Sequence, residues 1–312
     1  MHATIFTFLL AVAPFEQLVK LYDYDRGAPL DIKENGVEDR DGLKVHDISY
    51  ASPKGGRVTA YLVVPPGKGR LAGLLFMHGG NGNRSSLMPG ALVLARTGAV
   101  CLLIDSPLNG ARAVPGEKLS DFTKPEQTRA AMIQTVVDLR RGVDLLLSRA
   151  DVDPARIGYL GASYGGSIGG VLAGVEKRIR AYALMVGIGS LGDFARLSPH
   201  PTAVETRKLI GPEKIDANLA MMEDVAPIHY IGHAAPSAVF FQNGRKDAFM
   251  PIPSVERYHA AGSEPKLIRW YDAGHGLDAA AFRDRADWLS KQIGIAPLPE
   301  GVLKRMSPTN NQ

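Results

Sequence analysis

The sequence predicts an α/β protein: a mostly parallel, eight-stranded sheet flanked by helices, with one small helical cap insertion. Short apolar runs recur along the chain, as in strands that are buried on both faces. Stretches with apolar residues at helical spacing separate these runs. This alternation is typical of parallel sheets, because each parallel connection needs a crossover, usually a helix.

The expected strands can be read in chain order. Two segments of alternating apolar and polar residues, separated by Gly55-Gly56, predict an antiparallel hairpin. Five continuous apolar runs and one last strand-like segment follow the hairpin. The eight expected strands are residues 45–50, 57–64, 71–77, 100–104, 156–162, 181–186, 238–241 and 267–271.

Helical spacing predicts long helices over residues 125–149 and 278–293, with Gly294 as the stop of the second. Residues 188–236 exceed a normal connection and carry two short helical patterns (202–210 and 213–222). Ligands bind outside the carboxyl ends of strands in such sheets, so we expect this insertion to form a small cap over a site.

Three segments are expected along the chain. Residues 45–295 form the α/β domain, after a helical or extended segment (1–44) and before a polar tail (296–312). Residues 4–13 are apolar and end in small residues, like a signal peptide, but no Lys or Arg precedes them. The alternative is an N-terminal helix that packs on the domain. We expect a cytoplasmic protein, or a secreted or periplasmic one if residues 1–13 act as a signal.

Composition limits the function classes. The 312 residues are 45% hydrophobic and 22% charged, which is ordinary for a globular protein. The 36 basic and 32 acidic residues give a net charge of +4 without a basic block, so nucleic-acid binding is not indicated. No run of about 18 apolar residues predicts a membrane span. The single cysteine, Cys101, cannot form an internal disulfide.

The motif Gly-Ala-Ser-Tyr-Gly at residues 161–165 is a G-x-S-x-G pattern. A predicted strand ends at it, and a Gly- and Ala-rich helical segment (165–175) follows. This strand-turn-helix setting is that of a nucleophile elbow, in which Ser163 adopts a strained backbone conformation. Side chains in place of Gly161 and Gly165 would collide with the neighbouring strand and helix.

A serine nucleophile needs a base, and His275 follows the last predicted strand between flanking glycines. Asp247 follows the preceding strand and would hold one imidazole nitrogen of His275. The order Ser163, Asp247, His275 is that of the α/β-hydrolase triad. Asp272 and Asp278 are the competing acids, but both lie within three residues of His275.

An oxyanion hole is expected beside the elbow. Residues 77–82 read Met-His-Gly-Gly-Asn-Gly and directly follow the first buried strand. One N–H from this loop, of Gly80 or Asn81, and the N–H of Tyr164 would bind the developing oxyanion. We interpret His78 as a structural residue that orders the loop.

Together these features resemble the α/β-hydrolase superfamily over about residues 45–295. Residues 152–158 (Val-Asp-Pro-Ala-Arg-Ile-Gly) are similar to the dienelactone-hydrolase and acetyl-xylan-esterase-like branch. Dienelactone hydrolases carry cysteine at the elbow, where this chain has Ser163. The resemblance therefore implies ester hydrolysis rather than lactone hydrolysis.

Several other residues are interpreted without a catalytic role. Asp105 would order a loop, Cys101 would pack in the core, and the His229-x-x-x-His233 spacing is not expected to bind zinc. In the insertion, apolar residues are expected to pack rather than contact substrate; they are Phe194, Met221 and Met222.

The sequence thus predicts a serine carboxylesterase acting on a small-molecule ester, and the short length of the expected cap favours a short acyl group. This chemistry needs no cofactor and no metal. A peptidase, amidase or acyltransferase on the same fold is the alternative, and a non-catalytic binding module is a third hypothesis. The oligomeric state stays open.

Overall fold

The computed structural model describes residues 12–67, 69–299 and 301–302. Residues 4–11 of the signal-like segment and most of the expected tail lie outside the described residues. Among the described residues, no helix is long and apolar enough to cross a membrane.

A single mixed sheet organises the described chain, in the order β1-β2-β3-β5-β4-β6-β7-β8-β9. The first four strands in this order pair antiparallel, and all later neighbours pair parallel. Its strands are β1 (Lys33–Arg40), β2 (Leu43–Ala51), β3 (Arg57–Val64), β4 (Leu71–Met77), β5 (Ala99–Ile104), β6 (Val152–Ala162), β7 (Ala181–Met185), β8 (Ala238–Gly244) and β9 (Lys266–Tyr271).

The expectation of eight strands is corrected to nine in the described part of the chain. The additional strand is β1, which pairs with β2 in the segment that we expected to be helical or extended. Its sequence, Lys-Glu-Asn-Gly-Val-Glu-Asp-Arg, has no apolar alternation, and nearly all of it is exposed. Backbone pairing alone therefore makes the strand, and its charged side chains protect the edge of the sheet.

Helices cover both faces of the sheet, and the long ones agree with the predicted segments. The helix expected at 278–293 starts after Asp278, whose side chain accepts a hydrogen bond from Ala281 N, and it ends at Gly294 in a left-handed conformation. The helices are α1 (Phe15–Leu18), α2 (Met88–Ala95), α3 (Pro125–Leu147), α4 (Tyr164–Val175), α5 (Leu191–Leu197), α6 (Pro201–Leu209), α7 (Pro212–Ala220), α8 (Ile228–Ile231), α9 (Ile252–Ala261) and α10 (Ala279–Ile293).

Two apolar layers hold the helices to the sheet. Successive strand residues point to opposite faces, so Leu75 packs in the layer with α3 and α4, whereas Leu74 packs in the layer with α2 and α10. The N-terminal helix joins the first layer through Leu18. Cys101 is fully buried in the second layer, and burial raises the pKa of its thiol.

Stability is expected to fall in weak acid because of His259 in α9. This side chain is 3% exposed, and its Nε2 lies 2.9 Å from Asn243 Oδ1. Burial, and secondarily Lys266, lower its pKa to about 4. The unfolded chain binds this proton near pH 6.5, so the stabilisation present above that pH is lost as the pH falls towards 4.

Between pH 7 and pH 5 the free energy of unfolding should fall by about 2 kcal/mol through His259 alone. Urea unfolding at several pH values measures this change. His259→Gln should be less stable at pH 7 and should show a flatter pH dependence. Identical pH dependence in the variant and the wild type would refute the assignment to His259.

Candidate active site

Ser163 lies in the sharp turn between β6 and α4, as the motif predicts. Its backbone has φ 54° and ψ −110°, a conformation that L residues rarely adopt. Ser163 N donates to Met185 O at 2.8 Å, which ties the turn to β7. The start of α4 directs its backbone N–H groups towards the end of the serine side chain, where negative charge is favoured.

The two elbow glycines leave no room for a side chain. A Cβ on Gly161 would lie 2.2 Å from Gly165 O, and a Cβ on Gly165 would lie 2.2 Å from Met77 O. These are backbone atoms of neighbouring elements, which cannot move aside. The steric reason predicted from the motif is therefore present in the structure.

Gly161→Ala should destabilise the protein by at least about 3 kcal/mol, because the new methyl group overlaps backbone atoms. Urea unfolding measures the loss. Gly36→Ala is the matched control, since no atom lies within 4 Å of a Cβ at that position. The control should change stability by less than about 1 kcal/mol. Equal unfolding midpoints for the two variants would show that the elbow tolerates a side chain.

Four loops at the carboxyl ends of parallel strands carry the predicted site residues. The loop after β4 carries His78 and the glycines, and Ser163 follows β6. Asp247 follows β8, and His275 follows β9. Parallel strands end at the same side of a sheet, so residues distant in sequence come together there.

Asp247 lies against the imidazole of His275. His275 Nδ1 is 2.8 Å from Asp247 Oδ2, and the carboxylate is 3% exposed. The other carboxylate oxygen, Oδ1, accepts hydrogen bonds from Phe249 N at 2.8 Å and Met250 N at 3.3 Å. The two backbone N–H groups thus fix the carboxylate through Oδ1, and its Oδ2 holds Nδ1 of the imidazole.

The competing acids have other partners. Asp272 forms an exposed ion pair with Lys246 at 2.9 Å, and Asp278 caps α10. In the described part of the chain, the hydrogen bonds of His275 comprise only the one to Asp247. His275 Nε2 makes no hydrogen bond with Ser163 in this structure. Hydrogen bonds between a catalytic base and its nucleophile are often long without substrate and shorten when substrate binds.

A cavity of about 410 Å³ opens beside Ser163. Ser163, Tyr164, Gly80 and Asn81 lie in its wall. Apolar atoms make up most of the cavity surface, and the large apolar side chains that line it are Leu108, Leu119, Phe122, Met132, Ile168, Ile188, Leu191, Phe194 and Met250. A cavity of this size and character is typical of a small-molecule site.

The glycine loop runs directly along the elbow. Gly165 N donates to His78 O at 3.1 Å. A Cβ on Gly79 would lie 3.5 Å from Ser163 Cβ, and one on Gly80 would lie 3.9 Å from Tyr164 Cβ. The backbone of this loop therefore lies close to Ser163 and Tyr164, and Gly79 and Gly80 place no side chain between them.

His78 orders this loop, as interpreted from the sequence. The side chain is 2% exposed, and its Nδ1 lies 2.6 Å from Gly79 O. Its Nε2 accepts from Ser106 N at 3.1 Å, so the proton of the neutral ring is on Nδ1. Burial lowers the pKa of His78 against the raising effects of its bond to Gly79 and of Asp105.

Asp105 also orders loops. It is fully buried and accepts hydrogen bonds from Thr59 Oγ1 at 2.6 Å and from Arg84 N at 2.7 Å. These bonds join β3 to the segment that follows the glycine loop. This arrangement agrees with its interpretation as a non-catalytic residue.

The insertion contributes to the cavity in a way that the sequence did not predict. Phe194 was expected to pack but lines the cavity, whereas Met222 is buried and Met221 is half-exposed. His200 also lines the cavity and was not singled out at all, because an isolated histidine in a loop carries no motif. Met250, next to Asp247 in the chain, also lines the cavity and belongs to no motif that would single it out.

The two histidines with metal-like spacing, His229 and His233, have separate partners. His229 Nε2 lies 2.7 Å from Glu223 Oε1. The ring of His233 stacks on Phe15 with the centroids 3.6 Å apart. His229 is therefore held by an acidic partner and His233 packs on an aromatic ring.

The model of the acetyl xylan esterase (AXE1) family matches residues 28–203, more than half of the chain. The chain belongs to this family. It is therefore a carboxylesterase-type hydrolase with the α/β-hydrolase fold. The superfamily and branch expected from the motifs are confirmed.

Similar proteins agree with this assignment at the level of fold. Acetyl xylan esterases from Paenibacillus sp. R4 and Thermoanaerobacterium sp. JW/SL YS485 both superpose with a TM-score of 0.74, at 19% and 17% identity. The matches cover 89% and 91% of this chain and 93% of each esterase. An uncharacterized protein of Mycobacterium tuberculosis is 29% identical over 230 residues, 74% of this chain and 67% of that protein.

Proposed function

We propose that this esterase hydrolyses short-acyl, acetyl-type esters through a triad of Ser163, His275 and Asp247. The observation that carries the proposal is the 2.8 Å contact between Asp247 Oδ2 and His275 Nδ1, in loops at the same side of the sheet as the Ser163 turn. A nucleophile, a base and an orienting acid are the parts that acyl transfer requires.

In the proposed reaction, Ser163 Oγ attacks the ester carbonyl carbon and His275 Nε2 takes its proton. Backbone N–H groups of Tyr164 and of Gly80 or Asn81 stabilise the oxyanion. His275 then gives the proton to the alcohol oxygen as the C–O bond breaks. A water molecule, deprotonated by His275, attacks the acyl-enzyme, and His275 returns this proton to Ser163 Oγ as the carboxylic acid is released.

Asp247 has two tasks in this scheme. Its Oδ2 accepts the Nδ1 proton, so Nε2 is left unprotonated and able to accept the proton of Ser163. Its negative charge stabilises the imidazolium that forms after proton transfer. Because the carboxylate is almost fully buried, water does not screen this attraction effectively.

We further propose that the insertion between β7 and β8 acts as a small cap. Leu191 and Phe194 of α5 and the nearby His200 form part of the cavity wall. The cap therefore restricts the space above Ser163. Membership of the acetyl xylan esterase family favours an acetyl group as the acyl part.

The acyl preference can be measured with para-nitrophenyl esters. We expect kcat/KM for the acetate to exceed that for the octanoate by about tenfold or more, because each misplaced methylene in a confined pocket costs about 1 kcal/mol. Equal rates would contradict the short-acyl proposal.

The corresponding amide, para-nitroacetanilide, separates an esterase from a peptidase or amidase. An esterase should cleave the acetate ester and leave the amide nearly untouched. Comparable turnover of both compounds would favour the amidase alternative.

A further inference from the structure

A row of aromatic rings extends from the proposed base along the cavity. Phe249 meets His275 edge to face with the centroids 5.3 Å apart, and His200 meets Phe249 at 5.0 Å. Phe194 lies 5.5 Å from His200, and Phe122 lies 6.0 Å from Phe194. His200, Phe194 and Phe122 line the cavity. The row thus connects His275, through Phe249, to an aromatic wall formed by the three rings that line the cavity.

The cap holds this row against the loop of the proposed acid. Ser198 Oγ donates to Phe249 O at 2.6 Å, which ties the residues before α6 to the loop after Asp247. Arg207 donates to the carbonyl oxygens of Ala195 and Ser198, both at 2.8 Å. The position of His200 relative to His275 is therefore determined by several direct contacts.

The hydrogen bonding of His200 determines its tautomer. Its Nδ1 accepts from Thr202 N at 3.2 Å and so caps the start of α6. A nitrogen that accepts carries no proton, so the proton of the neutral ring is on Nε2. Burial, and secondarily His275, lower the pKa of His200, which favours this neutral form. In the described part of the chain, Nε2 makes no hydrogen bond with a protein atom.

Three other polar side chains in the wall are bonded to protein atoms. Asn109 Nδ2 donates to Gly80 O and Gly82 O. Tyr164 Oη is 3.0 Å from Thr135 Oγ1, and Ser167 Oγ accepts from Ile188 N at 2.9 Å. His200 Nε2 differs from these groups, since it offers a donor that the fold does not use.

We propose that His200 determines specificity: its Nε2–H donates a hydrogen bond to the alcohol part of the ester, which the aromatic wall binds as a flat aryl group. This inference rests on the proposed function, because His275 can protonate the leaving oxygen only if the alcohol part lies beside it. The alcohol then extends along the row of rings that begins at His275. A hydrogen-bond acceptor on such an alcohol would meet the Nε2–H of His200.

The experiment compares acetate esters that differ only in the alcohol. Para-acetylbenzyl acetate carries an acceptor, and para-isopropylbenzyl acetate has the same shape without one; the meta isomers are tested alongside. The wild type should prefer the acceptor compound of at least one isomer pair about fivefold to tenfold in kcat/KM. Benzyl acetate should also be preferred over cyclohexylmethyl acetate.

Two substitutions separate the roles of the ring and the donor. His200→Asn keeps a cap for α6, since asparagine accepts from the same N–H, but loses the ring and its Nε2. His200→Phe keeps the ring and loses the donor. Both variants should lose the acceptor preference, and only His200→Phe should retain the preference for benzyl over cyclohexylmethyl acetate. His46→Asn, on β2 and paired with Glu34, is the control and should keep both ratios.

The outcomes are distinct from failure of the proposed function. If wild type and His200 variants share the same acceptor ratio, or if both esters of each pair lose rate equally, His200 has only a structural role and the inference is wrong. Hydrolysis of ethyl acetate without hydrolysis of any benzyl ester also overturns it. Inactivity towards every ester would instead contradict the proposed function itself.

Discussion

Ser163→Ala is expected to remove ester hydrolysis, lowering kcat/KM by a factor on the order of 10⁵ to 10⁶. The substitution deletes one oxygen and keeps the Cβ, so the strained turn at φ 54° needs no new adjustment. The glycine loop and the cavity wall should keep their geometry. The loss would therefore report the missing nucleophile rather than a change of fold.

The measurement is the rate of para-nitrophenyl acetate hydrolysis, together with the thermal unfolding midpoint of each protein. Ser290→Ala in α10 is the matched control, because its hydroxyl only donates to Ile295 O at 2.8 Å. The control should retain wild-type activity. If Ser163→Ala stays folded and keeps wild-type activity, Ser163 is not the nucleophile and the proposed triad is wrong.

Asp247→Asn should lower kcat by a factor on the order of 10⁴ with a small change in KM. The expected cause follows from the two backbone N–H groups that bind Oδ1 of this residue. In the variant they would hold the amide oxygen, so the amide NH₂ would face His275 Nδ1. That donor forces the imidazole proton onto Nε2, which can then no longer accept the proton of Ser163.

Steady-state kinetics of the wild type, Asp247→Asn and Asp272→Asn test this prediction. Asp272 is the control because it lies in the His275 loop but pairs with Lys246 at the surface. Its exposed ion pair contributes little, so its variant should stay within about twofold of wild type. A larger loss in Asp272→Asn than in Asp247→Asn would show that Asp272, and not Asp247, orients His275.

The fold and the elbow could be predicted because their signals are local. The turn at Ser163 follows from two glycines within two residues of it, and α10 is delimited by Asp278 and Gly294 at its own ends. Apolar runs such as 71–77 identify buried strands because burial on both faces requires apolar residues at successive positions. The edge strand β1 has no such burial and left no apolar pattern.

The arrangement around the cavity depends on long-range packing. Neither the pairing of Asp247 with His275 rather than with Asp272 or Asp278, nor the place of His200, has a local signal that excludes the alternatives. The chain-order rule favoured Asp247 only by analogy with other triads. The structure brings Asp247 to the ring and leaves the catalytic roles as proposals that the variants test.

By itself the sequence determined the class of fold, most strands, the ends of the last helix and the strained serine turn. Each of these follows from sterics, capping or burial among residues that are close along the chain. Only the tertiary structure decided the edge pairing of β1, the partner of His275, and the aromatic wall that includes His200. These features join segments separated by tens of residues, and the packing of the sheet against its helices and insertion is what brings such segments into contact.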